Sequence, residues 1–282
     1  AHVLVAGESG RGKTQCIVLP TMATWTGSQI ILDVKGDLYD HWRQMNRDIG
    51  KKCVHFALGE SNRKNDPYAP WRQGGTENLA GNARDLAMAL IPLSPSVHDP
   101  IWVQCAQNFL TGAIIYYYEM GVSFLDTMIQ IQTRPIGEII DDVSSGGNEA
   151  AKIYMNKLGE IQEKVISNIG MELSNLAVFV TDSAIREVLP VAVEESDFLD
   201  WQEFSTLREP VDVILTIPEV TIERSAPMIR LMVNQLIKTL EQRPQLDYLA
   251  GKLPPVLIML DEFSRIGTLP AIKSGLRTLR SR

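Results

Sequence analysis

Long apolar runs are missing from the chain. No stretch of about 18 apolar residues occurs, and no charged region precedes an apolar one at the N-terminus, so these residues encode neither a membrane span nor a signal peptide. Cysteine is scarce: Cys16, Cys53 and Cys105 are odd in number and far apart. That spacing excludes a disulfide framework and a cysteine metal cluster, and predicts three reduced, mostly buried thiols in a reducing compartment. The four histidines, His2, His41, His55 and His98, show no paired spacing, and no metal site is assigned to them. An excess of positive charge is absent too. A formal charge of −7 excludes a protein that coats duplex DNA with its whole surface, while leaving room for a local basic patch. No internal repeat, low-complexity tract or nucleophile–base arrangement is present.

What remains is an ordinary globular composition, 45% hydrophobic and 22% charged over 282 residues. A chain of this length buries roughly three quarters of its unfolded surface and folds without staples. It opens without Met, almost directly on an apolar run, and reads as a segment of a longer protein. That run, Val3 to Ala6, stops at Gly7, and the following residues fit G-x-x-x-x-G-K-[ST], with Gly7, Gly12, Lys13 and Thr14 in the fixed places. A strand that enters a glycine-rich turn and then a helix points backbone N–H groups and a positive dipole end at one spot, which makes a cradle for phosphate. The predicted cradle is Gly7, Glu8, Ser9, Gly10, Arg11, Gly12, Lys13 and Thr14. Lys13 would set its ammonium against the β- and γ-phosphates, and the Thr14 hydroxyl would ligate Mg²⁺.

Beyond the turn, 13–25 is helix-like, with Pro20 expected to kink it or end its regular part. Short strands are predicted at 29–33 and 53–58, separated by a helix that Asp37 would cap and that runs to about Gly50. Alternating strands and helices imply βαβ units and a parallel sheet. The span 59–75 reads as a loop. From Thr76 to about Asp200 helical periodicity takes over. His98-Asp99-Pro100 predicts an N-cap and an N1 proline before a long helix with Trp102, Ala106, Phe109, Ala113 and Tyr117 on one core stripe. Further helices fit 135–143, 148–158, 160–179 and 183–189. The sheet resumes at 211–217, and 226–242 fits a helix with Met228, Leu231, Met232, Gln235, Leu236 and Leu240 near one face. The expected class is therefore α/β, a mostly parallel sheet (1–75 and 201–282) interrupted by an all-helical domain (76–200).

The most apolar strand, Val256 to Leu260, runs straight into Asp261-Glu262. A strand buried on both faces holds an acidic pair rigidly at the rim where open α/β sheets bind ligands. Asp261 would hold Mg²⁺, and Glu262 would orient and deprotonate the attacking water. An acid beside the metal-holding aspartate favours an ATP-hydrolysing enzyme over a kinase, which must exclude water. Asp33 and Lys35 fit equally a role at the phosphates or a plain turn. Lys273, Arg277 and Arg280 fall near one helical face, either as a solvated surface, as a contact for a DNA backbone, or as an arginine presented to a neighbour's nucleotide; Arg224 is a second candidate for that last role.

These motifs resemble the nucleotide-binding region of type IV secretion coupling proteins, the TraG-type conjugation ATPases. The likeness rests on GESGRGKT, PTMATWTGSQIILDVKGDLYD, HDPIWVQCAQNFLTGAI, TIPE and LIMLDEFSRIGTLPAI, and covers nearly the whole chain. It implies a RecA-like P-loop NTPase core with an all-helical insertion, binding ATP and Mg²⁺ through the residues named above. It further implies a homo-hexamer at the cytoplasmic face of the bacterial inner membrane. Such a ring couples hydrolysis to delivery of relaxase-bound DNA, single-stranded where it touches the ring, or of effector proteins, to components of the secretion channel. Family members usually carry an N-terminal membrane anchor, and their core continues with further strands and a phosphate-sensing polar residue; the segment itself is expected to be soluble. Two other readings fit the residues: a substrate-recruiting platform in which nucleotide serves assembly, and a DNA translocase unrelated to secretion.

Overall fold

The computed structural model describes residues 5, 11–47, 49–60, 64–74, 78–94, 100–156, 158, 163–190, 204, 206–244, 247, 250–260, 269, 271–272, 275 and 278–279. Four strands, β1 (Ser28–Asp33), β2 (Lys52–Ala57), β3 (Val211–Thr216) and β4 (Val256–Leu260), form one sheet in the order β2-β3-β1-β4. Every pairing is parallel. The register brings the strand ends level, since Asp33 and Ala57 both pair with Thr216, and Leu32 pairs with Leu260.

Alternation along the strands divides the core between two faces. Ile31 and Ile214 join Met22 and Leu38 in a small cluster with Val18, Leu19, Trp42 and Met259. This is the face covered by α1 (Leu19–Thr24) and α2 (Asp37–Met45). Ile30, Leu32, Val213 and Leu215 turn the other way, into a large continuous cluster. That cluster runs on into the helices between β2 and β3: α3 (Ala69–Gly74), α4 (Leu79–Leu90), α5 (Ile101–Glu119), α6 (Phe124–Thr133), α7 (Ile136–Gly146), α8 (Glu149–Asn156), α9 (Glu163–Leu173), α10 (Val178–Thr181) and α11 (Ser183–Glu187). Joining the two is α12 (Ala226–Glu241), in which every residue but Arg230, Lys238 and Glu241 is buried.

Several expectations need correction. The span 59–75 is not all loop, because Ala69–Gly74 is a helical turn whose Trp71 is buried against Tyr68 and Tyr118. The helix expected over 160–179 is broken: α9 gives way to a 3-10 turn at Ser174–Ala177 before α10. Pro100 stands at the N-cap of α5 instead of its first helical position. The stripe Ala106, Phe109, Ala113 and Tyr117 is buried as core. β4, expected to be buried on both faces, is half-buried at every position, because among the described residues it pairs on one side only, with β1. The cysteines are free, but Cys16 is exposed and Cys53 and Cys105 are half-buried. In α12 the expected face of Met228, Leu231, Met232, Gln235, Leu236 and Leu240 is buried, and burial extends further round the helix to Ile229, Val233, Asn234, Ile237 and Thr239.

Candidate nucleotide site

The helix that follows the glycine-rich turn starts at Gly12, whose φ of +77° lies in the left-handed region that glycine adopts without strain. A Cβ here would also approach Cys16 Sγ to 3.3 Å. Gly12 carbonyl accepts from Cys16 N at 2.8 Å, so the turn closes directly into helix. Its first winding, Thr14–Val18, is π-helical and passes into α1 at Leu19. Pro20, expected to kink or end the helix, sits instead at the start of the α-wound part. The wider π turns come just where the proline ring and its missing N–H would collide with regular α winding.

Val18, Leu19 and Met22 seat this helix on the sheet beside Ile31, Ile214 and Met259. Near its end, Met22 carbonyl accepts from Gln29 Nε2 at 3.1 Å, close to the start of β1. The opposite end, with Lys13 and Thr14 half-buried and Arg11 exposed, therefore points toward the C-terminal ends of the strands. The lengths agree: twelve helical residues rise about 18 Å and a six-residue strand about 20 Å.

At that edge Asp33 is fully buried, and burial raises its pKa against the opposing pull of three backbone donors, Tyr39, Gly36 and Leu38. Its Oδ1 accepts from Gly36 N at 2.8 Å and its Oδ2 from Tyr39 N at 3.2 Å. The side chain thus holds the turn 34–36 and the first turn of α2, which is the turn reading of this residue. Asp37 is not the cap of α2. The N-cap is Gly36, at φ +81°, and Asp33 supplies the acceptor from three residues upstream. Lys35 is exposed.

Sequence reasoning passed over a polar cluster beside Asp33. His55 Nε2 lies 2.9 Å from Thr216 Oγ1, and the His55 ring stacks on Tyr39 with centroids 3.5 Å apart and planes 14° apart. Burial lowers the His55 pKa, so the ring is neutral at neutral pH. The usable signal was a histidine at an inward position of a strand, two residues before its end.

Gly7, Glu8, Ser9, Gly10, Asp261, Glu262, Lys273, Arg277 and Arg280 lie outside the described residues. Leu260, the last described residue before the acidic pair, is level with Leu32, at the same edge as Asp33. Arg224 is remote from a purely solvated role: its Nε pairs with Asp182 Oδ2 at 3.0 Å.

Three comparisons bear on this arrangement. In sequence the chain is 26% identical over 294 aligned residues to Protein VirD4 of Rhizobium radiobacter, covering 99% of this chain and 40% of that protein. It is 25% identical over 305 residues to the conjugal transfer protein TraG of Escherichia coli, covering 98% and 46%. The chain thus spans less than half the length of these curated relatives. Among solved structures it is similar to the unbound bacterial conjugative coupling protein TrwBdeltaN70 (TM-score 0.59, 11% identity) and to the plasmid coupling protein TrwB with a non-hydrolysable GTP analogue (0.56, 11%). Each match covers 90% of this chain and about 60% of the other. That likeness is one of fold, an α/β architecture built on a parallel sheet. A family model described as "Type IV secretory system Conjugative DNA transfer" matches residues 1–281, and on that match the chain belongs to the family of type IV coupling proteins.

Proposed function

We propose that this chain is the ATP-binding and ATP-hydrolysing part of a coupling protein that feeds a type IV secretion or conjugation channel. The observation that carries the reading is the left-handed Gly12 turn leading into a helix whose first residues, Lys13 and Thr14, face the C-terminal edge of the sheet. Anions are stabilised at such a helix start by unpaired N–H groups and the dipole. A structure of the plasmid coupling protein TrwB with a non-hydrolysable ATP analogue supports nucleotide as the ligand class.

In this reading Lys13 neutralises the β- and γ-phosphates and Gly12 lets the backbone approach them. Thr14 and Asp261 hold Mg²⁺, which when bound offsets charge on the phosphate oxygens. Glu262 takes the proton of the attacking water. Residues 1–75 and 201–282 form the nucleotide core, and 76–200 form a helical unit inserted into it. Relaxase-bound DNA or effector proteins are the cargo, the secretion channel is the recipient, and the working form is a homo-hexamer at the cytoplasmic face of the inner membrane.

Lys13→Ala removes a charged hydrogen bond to phosphate, which should weaken ATP binding by about 10- to 100-fold. Glu262→Gln should leave binding intact and slow hydrolysis about 10²-fold or more. Fluorescent-nucleotide titration and phosphate release on the full-length protein separate the two effects. Undiminished binding by Lys13→Ala would remove the phosphate assignment, and wild-type turnover by Glu262→Gln would remove Glu262 as the base. ATPase rates that rise with DNA support a motor, and rates indifferent to DNA support a recruiting platform.

A further inference from the structure

A cleft of about 630 Å³ opens between the helical region and the N-terminal turns of α12, with Ser174, Asn175, Thr181 and Asp182 on one wall and Arg224 and Arg230 on the other. One of its acids is already committed. Asp182 Oδ1 accepts from Ala184 N at 3.0 Å and Ile185 N at 3.3 Å, capping α11, while its Oδ2 takes Arg224. Glu223 stands on the exposed rim.

Arg230 is placed differently. Of the two cations on α12, Lys238 pairs with Asp85 at 2.7 Å, whereas Arg230 has no ion pair among the described residues. Its Nε is buried with no hydrogen-bond partner. Burial lowers its pKa with no nearby charge to oppose the effect, yet a guanidinium does not give up its proton in a protein. Helical side chains lean toward the N-terminus, so this cation is directed to the end of α12 that is already positive. Arg230 as a whole is half-buried, and its Nε is shut away from solvent without a partner among the described residues; a polar group desolvated without a partner is destabilising, and a ligand that answers the guanidinium recovers that cost.

The chemistry of the walls selects among anions. A planar guanidinium matches two carboxylate oxygens at once. With Asp182 paired to Arg224, Glu223 on the rim repels a dianionic phosphate more than a carboxylate carrying one charge. The hydroxyls and amide of Ser174, Thr181 and Asn175 suit the polar atoms of a peptide backbone, and the volume falls within the range of small-ligand sites. We propose that this cleft binds a carboxylate, with Arg230 gripping an acidic side chain or chain terminus of a partner protein while Ser174, Asn175 and Thr181 hydrogen-bond the adjoining backbone. The inference is independent of the nucleotide reading.

The test is fluorescence polarisation on the purified full-length protein, with a dye-labelled, amidated Gly-Gly-Glu-Gly peptide, which carries one carboxylate, as probe. Saturable binding is expected, with no competition from the amidated Gly-Gly-Gln-Gly peptide and at least tenfold weaker competition from inorganic phosphate. Arg230→Gln should weaken binding by about 10- to 100-fold, and Arg230→Lys, which keeps the charge and loses the fork, should fall between. Should Arg230→Gln fail to fold, Thr181→Tyr narrows the cleft from the opposite wall, leaves Arg230 in place, and should abolish binding. Undiminished binding by these variants, or phosphate competing as well as the peptide, overturns the proposal. Succinate matching the peptide in an Arg230-dependent way overturns the protein partner in favour of a small dicarboxylate.

Discussion

A carboxylate buried near the start of a strand is tolerated only when its oxygens are answered, and Asp212 shows how fully that is met here. Fully buried, it accepts from Gln29 N at 2.9 Å, Gln29 Nε2 at 3.2 Å and Trp42 Nε1 at 2.7 Å, and pairs with Lys51 Nζ at 2.6 Å. These bonds fasten β3 to β1 and α2 at the end of the sheet opposite Asp33 and the candidate nucleotide site. His55 does related work at the other end, and its titration can be followed. Its folded pKa is lowered by burial, so the unfolded chain binds the proton more readily. Stability is therefore full above the ordinary histidine value of about 6.5 and declines as pH falls from there through the lowered folded value. Urea midpoints measured from pH 8 to 5 should show this fall, and His55→Gln should flatten the part that His55 contributes. An equal decline in both proteins would assign the pH dependence elsewhere.

Elements were legible where local pattern and tertiary role agree. The alternation of strand and helix, the parallel sheet, the core stripe of α5 and the span of α12 could all be read from periodicity. Gly12 was legible as a turn residue because geometry requires a glycine there: its φ is positive. Boundaries failed where a distant partner decides them. Nothing near Asp37 reveals that Asp33 supplies the acceptor, and nothing within Val256–Leu260 reveals that one of its edges lacks a partner among the described residues. Gln235 falls among the apolar residues of the α12 face, and the partners that let it be buried lie far off in sequence: Asn65 Nδ2 donates to its Oε1 at 2.9 Å, and its Nε2 donates to Asp66 carbonyl at 3.0 Å. α12 is consequently the element where packing losses are felt on both sides. Leu231 is fully buried, so Leu231→Ala should cost about 2–5 kcal/mol in chemical denaturation. A loss below about 1 kcal/mol, far under that range, would mean that the two layers close over the gap.

At the scale of the molecule, the decisive fact is that β3 lies between β1 and β2. Among the described residues the two strands that come first in the sequence do not pair with each other; each pairs with a strand that arrives only after the helices between Ala69 and Glu187. Closing this sheet needs long-range contacts, which must be made before the ordered loop is repaid. The helices, meanwhile, share the hydrophobic cluster that backs the sheet, through α12 and through the 65–66 segment held by Gln235 and by the Arg72–Asp66 ion pair. A continuous core of this kind predicts that sheet and helices lose structure together, because no thinly packed seam separates them. Native-state hydrogen exchange is the discriminating measurement. The slowest amides of β1 and of α5 should open with the same free energy and the same denaturant dependence. If α5 instead exchanges through a separate, cheaper opening while β1 stays protected, the helical region is an autonomous unit resting on the sheet, and nucleotide bound at Lys13 would then protect β1 without protecting α5.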